Sequence, residues 1–324
     1  MCTAVTYLTQ DFYFGRTLDI EYHFNEAVAI APRNFLFSFK KENPIKNHYA
    51  IIGIATIEDG YPLYYDATNE MGLSMAGLSF PQNACYLPFK ENMDNIAPFE
   101  FIPWILSQCK NVTDAEVLLK KVNLVDIPFS DKFPLSPLHF LISDREKSIT
   151  VEPTKEGLKI YDNPVGILTN NPTFDIQLFN LNNYIYLSNT NPKNTFAPAL
   201  SLDAYSRGLG AIGLPGDLSS SSRFIKAAFT KINSVSEATE EESVSQFFHI
   251  LNSVCQQRGC VVTESGTYEI TFYTSCCNTD KGIYYYTTYD NSQISAASMH
   301  KENLDSDKLI SYPLITKQNI NWQN

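Results

Sequence analysis

Cys2 is the residue whose chemistry the rest of the chain must support. Cysteine is small enough for methionine aminopeptidases to clear the Met1 before it. The chain would then begin with a thiol and a free α-amine on one residue. In model peptides an α-amine titrates near ~8 and a thiol near ~8.5, so nucleophile and base would share a residue. Activation of a nucleophile by an N-terminal amine is one route to acyl transfer. Other motifs offer less. Gly208-Leu-Gly-Ala-Ile-Gly213 spells a dinucleotide fingerprint. No strand leads into it, however, and Pro215-Gly216 follows where a helix should run. The five histidines (23, 48, 139, 249, 300) form no triad signature and no metal spacing with cysteine. His139 falls in a strand and His249 in a helix, so each reads as a satisfied structural residue.

Composition narrows the class. The 324 residues are 44% hydrophobic and 13% aromatic, enough to bury a sizeable core, and 18% charged, too few for a disordered chain. A formal charge of −11 disfavours nucleic acid and anionic membrane surfaces as partners, and leaves anion binding to locally placed Arg or Lys. No basic segment followed by an apolar run marks a signal peptide. The longest apolar stretch, 49–57, falls short of the ~20 residues of a membrane helix. Seven cysteines (2, 85, 109, 255, 260, 276, 277) in no regular framework read as reduced thiols in a cytoplasm. Adjacent Cys276 and Cys277 read as strand residues.

Periodicity places these residues on elements. Strands are expected at 2–9 and 12–17, joined by a turn at Gln10-Asp11, with Arg16 and Asp19 beside the start of the first strand. More follow at 27–31, 35–39, 49–57 and 72–78. Helices come next: 101–109, then one after a capping box at Thr113…Glu116. Strands resume at 138–143, 148–152, 158–161 and 166–169. Residues 173–187 read as helix, with Phe174, Leu178, Leu181 and Ile185 on one side. The Asn-, Pro-, Gly- and Ser-rich segment 188–218 is long enough to be functional or an assembly element. Helices at 223–232, capped by Ser222, and 240–254 precede strands at 267–275, 282–289 and 294–298. The tail from 301 to 324 reads as loose. Strands, helices, strands, helices, strands without an interdomain linker give one α+β domain over 1–324, with antiparallel sheets packed together under helices.

Several motifs occur together in order: Cys2, Gly15-Arg-Thr-Leu-Asp19, Leu168-Thr-Asn-Asn-Pro172 and Leu214-Pro-Gly-Asp-Leu-Ser-Ser-Ser-Ser-Arg223. Pro32-Arg-Asn-Phe35, Asn69-Glu-Met-Gly72, Pro98-Phe-Glu-Phe101, Pro172-Thr-Phe-Asp175 and Phe247-Phe-His-Ile-Leu251 extend the match. Over nearly its whole length the chain resembles the choloylglycine hydrolase family, which comprises bile salt hydrolases and penicillin V acylases. It is most similar to bacterial bile salt hydrolases. The resemblance implies an N-terminal nucleophile (Ntn) hydrolase, an αββα four-layer sandwich of two antiparallel sheets flanked by helices.

It further implies Cys2 as nucleophile, Arg16 beside the thiol, Asp19 near the amine, Asn170 at the oxyanion and a late arginine at Arg223. These types suit their roles. A guanidinium near sulfur favours thiolate, a carboxylate can orient an amine, and an amide N–H can stabilise an oxyanion. Ser79 departs from the pattern, standing where bile salt hydrolases usually carry Asn and penicillin V acylases Tyr. Thr17 and Phe140 are milder departures. Lining positions for a steroid correspond to Leu18, Tyr65, Phe129, Phe133 and Leu138. The resemblance implies a homotetramer assembled through 188–218, with no metal and no organic cofactor. The expected activity is hydrolysis of glycine- or taurine-conjugated bile salts. Penicillin V hydrolysis, acyl transfer to an amine and non-catalytic bile-acid binding stand as alternatives.

Overall fold

The computed structural model describes residues 1–237 and 239–324. Its first strands are β1 (Cys2–Leu8), β2 (Phe12–Ile20), β3 (Ala27–Ala31), β4 (Ile51–Glu58), β5 (Tyr61–Asn69), β6 (Ser74–Ser79) and β7 (Asp94–Ile96). Two helices follow, α1 (Phe101–Gln108) and α2 (Val112–Leu119). After them come β8 (Val122–Leu124), β9 (Leu138–Ser143), β10 (Ser148–Thr154), β11 (Gly157–Asp162) and β12 (Ile167–Leu168). The remainder of the chain holds α3 (Phe174–Asn180), α4 (Ser220–Asn233), α5 (Glu240–Asn252), β13 (Ile270–Asn278), β14 (Ile283–Thr288), β15 (Asn291–Ser298) and β16 (Ile310–Pro313).

A six-stranded sheet runs β12-β1-β2-β13-β14-β15 and an eight-stranded one β11-β10-β9-β6-β5-β4-β3-β16. Every pairing in both is antiparallel. Helices α4 and α5 cover the six-stranded sheet, and their apolar faces join the inter-sheet core in one cluster. Helix α1 packs on the far face of the eight-stranded sheet, with α2 in the same second cluster. The result is the αββα sandwich. Layering explains the composition of β1, in which Cys2 through Tyr7 are all buried because both faces meet other layers.

Local details differ from the sequence reading. The loop between β1 and β2 holds three residues, since Leu8 pairs with Phe12. Residues 35–39 form no strand; only a bridge from Phe37 to Ile45 remains, and the phenylalanines pack as an aromatic cluster. Strand β5 was not anticipated. Helix α2 is capped by Asn111, whose side chain accepts from Asp114 N, so Thr113 and Glu116 lie inside the helix. Ser219, not Ser222, caps α4. The capping box belongs to α5, between Thr239 and Glu242. After α3 the chain tightens into a 3₁₀ turn at Leu181–Tyr184, leaving Ile185 exposed. The tail is also corrected: Ile310–Pro313 pair with β3 as the edge of the larger sheet.

Two irregularities flank the start of β1. Phe272 is an extra residue in β13 opposite Leu18 and Asp19, and Tyr65 is an extra residue in β5 opposite Ile54 and Ala55. Such bulges re-aim side chains. Here they bring Asp19 to Thr271, and the Tyr65 carbonyl to Arg16.

Candidate active site

Cys2 opens β1 and pairs with Leu18 of β2 in register, so Arg16 and Asp19 flank it on the neighbouring strand. Its thiol is free and buried. Met1 is still attached, so the Cys2 nitrogen is a peptide N–H; it donates to Asn170 Oδ1 at 2.9 Å. The Met1 ammonium is held by the Asp19 carbonyl at 2.7 Å and by the Glu269 carboxylate. The Cys2 nitrogen is therefore an amide here, and the free α-amine is that of Met1.

Asn170 follows β12, which pairs with β1. Its N–H donates to Ser220 Oγ in the first turn of α4 at 2.8 Å, and its Nδ2 donates to the Ser79 carbonyl at 2.7 Å. Nδ2 carries a second hydrogen, which remains for another acceptor. Arg223, one turn into α4, is buried. It donates from Nη1 to the Cys2 carbonyl (2.6 Å) and Thr3 Oγ1 (2.6 Å), and from Nη2 to Asn170 Oδ1 (2.7 Å). Asp19 accepts from Thr271 Oγ1 at 2.7 Å and Thr17 Oγ1 at 3.2 Å, with Arg223 Nη1 at 3.9 Å.

Arg16 is fully buried. Its Nη1 donates to the carbonyls of Tyr65 (3.1 Å) and Gly77 (2.5 Å), and Nε to that of Thr17 (3.1 Å). Nη2 has no hydrogen-bond partner among the described residues. Burial alone would pull the guanidinium down, but Cys2, Tyr273, Asp66 and Asp19 together push it up. Arg223 goes the other way: burial outweighs Asp19, Cys2 and Glu269 and lowers it. Asp66, from β5, completes the electrostatics. It accepts from the hydroxyls of Tyr273 (2.7 Å), Ser275 (3.0 Å) and Tyr284 (2.5 Å) across the inter-sheet space. Burial pushes its carboxyl up against the opposing pull of Arg16 and those donors.

The structure thus gathers Cys2, Arg16, Asp19, Asn170, Arg223 and the Ser79 carbonyl in one network. Sequence reasoning missed Asp66, Thr271, Glu269, Ser220 and Gln177. Gln177 Nε2 lies 3.4 Å from the Asn170 carbonyl. None of the five stands in a pattern that marks it, and Asp66 shares its strand with two other buried polar residues, Thr68 and Asn69.

A cavity of about 310 Å³ opens beside this network. Phe129, Phe133, Leu138 and Tyr65 line it, with Phe24 and Phe99. Leu18 does not: it is buried in the ladder between Cys2 and Tyr273, away from the lining. Tyr65 and Gly77 tie wall to site, since both accept from Arg16. Thr56 Oγ1 and Tyr65 OH, 2.9 Å apart, are a polar spot on the apolar wall. No group of metal-binding side chains occurs among the described residues. Nor is any described helix long and apolar enough to cross a membrane. Gly208–Gly213 folds around a 3₁₀ turn with no preceding strand.

Residues 2–312 match the family described as linear amide C–N hydrolases, choloylglycine hydrolase family. A bile salt hydrolase/transferase of Lactiplantibacillus plantarum is 57% identical over 97% of both chains. One of Clostridium perfringens is 42% identical over the full length of both. Among solved structures, a variant of conjugated bile acid hydrolase from Clostridium perfringens superposes with a TM-score of 0.93 at 41% identity, covering both chains fully. Penicillin V acylase from Agrobacterium tumefaciens has a TM-score of 0.78 at 18% identity, covering 96% and 91%, which is a likeness of fold.

Proposed function

The chain belongs to the choloylglycine hydrolase family of linear amide C–N hydrolases, and from that membership we propose that it cleaves glycine- and taurine-conjugated bile salts through a Cys2 thioester. The observation that carries this reading is the convergence of Asn170 and Arg223 on the Cys2 backbone, with Arg16 buried beside it. Loss of Met1 turns the Cys2 nitrogen into an amine. The Cys2 sulfur attacks the amide carbonyl, and its proton passes to that amine. The free hydrogen on Asn170 Nδ2 donates to the oxyanion, as does a backbone N–H on the Ser79 strand. Collapse breaks the C–N bond, and the amine's proton leaves with glycine or taurine. Water then attacks the thioester, again giving its proton to the amine, and the bile acid departs.

Asp19 fixes the amine's surroundings. Arg223 neutralises Asp19 and holds the Cys2 carbonyl and Asn170 in place. The apolar cavity lined by Tyr65, Phe129, Phe133 and Leu138 takes the steroid. The Asn170 contact uses the Ser79 backbone, so serine at that position preserves it. We place the enzyme in a reducing cytoplasm, as its free cysteines favour, and as a homotetramer assembled through 188–218.

The decisive experiment is a turnover panel on protein whose N-terminus has been read by intact mass. Release of glycine or taurine should exceed release of 6-aminopenicillanic acid from penicillin V, and Cys2→Ser should abolish both. Faster penicillin turnover, or an active Cys2→Ser protein, would overturn the assignment. An inactive wild type with Met1 removed would instead favour a binding protein. Both curated relatives named above are hydrolase/transferases, which favours a second activity. With excess free amine, part of the thioester should appear as new conjugates by mass spectrometry.

A further inference from the structure

His139 and Glu152 are both fully buried and take no part in the proposed reaction. They sit on neighbouring strands β9 and β10. Removing two ionisable groups from water is costly, and apolar residues of similar volume commonly do as well or better in such places. The geometry indicates what this pair supplies. His139 Nε2 lies 2.9 Å from the Thr169 carbonyl, and Nδ1 lies 3.2 Å from Glu152 Oε1. A carbonyl can only accept, so Nε2 carries a hydrogen aimed at Thr169. Glu152 Oε1 also accepts the Phe174 N–H at 2.9 Å, the first of α3. Glu152 Oε2 has no partner among the described residues. On the other side, Phe80 stacks flat on the imidazole, 4.2 Å between centroids and 7° between planes.

Thr169 immediately precedes Asn170, and Phe80 immediately follows Ser79. Those two residues meet through Asn170 Nδ2 and the Ser79 carbonyl. The imidazole therefore holds both backbone segments that shape the oxyanion side, one by a hydrogen bond and one by stacking. We infer that His139, held by Glu152, is a positioning residue that sets the placement of Asn170 and Ser79 relative to Cys2. It acts through Thr169 and Phe80 and touches no substrate. This inference rests on the thioester reading above. Misplacement of a donor by about 1 Å can cost on the order of 100-fold in rate.

The test compares His139→Gln with His139→Asn. A glutamine amide can reach the place of Nε2 and keep the bond to Thr169, whereas asparagine reaches only as far as Nδ1. Both remove the ring and its stacking, so thermal midpoints should fall together. Expected results are a kcat at least about tenfold lower for asparagine than for glutamine, KM within about twofold, and unchanged alkylation of Cys2 by iodoacetamide. Glu152→Gln keeps volume and the acceptor for Phe174, and serves if the His139 variants fail to fold; its kcat should fall with KM held. Equal kcat losses that follow folded fraction, or a loss confined to KM, would overturn the role. Cys2→Ser in the same panel separates the two failures. If it is active, the thioester reading itself falls; if it is dead while the His139 variants behave alike, only the positioning role falls.

Discussion

Two arginines within one buried network illustrate how environment, not residue type, decides what a charge does. Arg16 sits among Cys2, Tyr273, Asp66 and Asp19 and is pushed up despite complete burial. Arg223 lies against carbonyls, Thr3 and Asn170, and its burial wins. Lys231 is the simplest case of the second kind. It donates to Thr6 Oγ1 and the Val165 carbonyl, and desolvation alone pulls it from 10.5 to about 8. Its folded value lies below its unfolded one, so between about pH 8 and 10.5 the unfolded chain binds the extra proton. Stability therefore rises with pH in that window. Below pH 8 the folded state carries the whole penalty, roughly 3 kcal/mol at 1.36 per unit. Lys231→Met removes it. The variant should gain in thermal midpoint relative to wild type below pH 8, and that gain should shrink toward pH 10.5. Parallel curves for the two proteins would refute this. At this scale Cys2, Arg16, Asp19, Asn170 and Arg223 could be picked out because they stand in recognisable strings. Asp66, Thr271 and Gln177 could not, since their partners Tyr273, Asp19 and Ser220 stand 207, 252 and 43 positions away along the chain and meet them only in the fold.

Elements were legible where hydrophobic period and burial agree. Helix α5 buries Val244, Phe247, Phe248 and Leu251, and its stripe is plain in the sequence. Strand β5 hides because its interior is polar: Asp66, Thr68 and Asn69 are all buried, and a bulge at Tyr65 breaks the alternation. Residues 35–39 mislead in the opposite way, with alternating phenylalanines that pack on one another, on His48 and on Trp104 without a ladder. The pairing of β2 with β13 depends on a close approach that composition does not announce. A Cβ at Gly15 would stand 2.0 Å from the Ser275 carbonyl oxygen, which is backbone and cannot swing aside. The same Ser275 hydroxyl accepts the Arg16 N–H and donates to Asp66. Gly15→Ala should therefore push β13 away from β2 beside Arg16. The expected cost is about 2–4 kcal/mol of overpacking, with activity lost beyond the loss of folded protein. Urea unfolding with parallel activity per folded molecule checks it; a variant of wild-type stability would show that the strands can separate freely.

Across the whole molecule, the αββα order was readable because strands and helices come in blocks along the chain, and because central strands such as β1 are apolar on both faces. What blocks of elements do not reveal is how the two sheets are held in register. Asp66 on one and Tyr273, Ser275 and Tyr284 on the other supply a polar tie beside the site. Nor do they reveal which surface would meet another copy in the proposed homotetramer. The segment after α3 leaves large apolar side chains in solvent: Phe196 is 89% exposed, Tyr205 86% and Ile185 85%, with Tyr186, Leu200 and Ile212 nearby in sequence. A soluble protein seldom leaves that much apolar surface bare, and a chain carrying a net charge of −11 needs contact surface with few carboxylates to self-associate. A second copy of the chain, as in the proposed homotetramer, would answer both demands. Phe196 and Tyr205 make little contact with their own fold, so Phe196→Asp with Tyr205→Asp should leave the thermal midpoint of the separated chain intact. Light scattering should give wild type at four times the chain mass and the double variant at a smaller multiple. A variant that keeps the wild-type mass would remove this segment from the interface, and a monomeric wild type would remove the interface altogether.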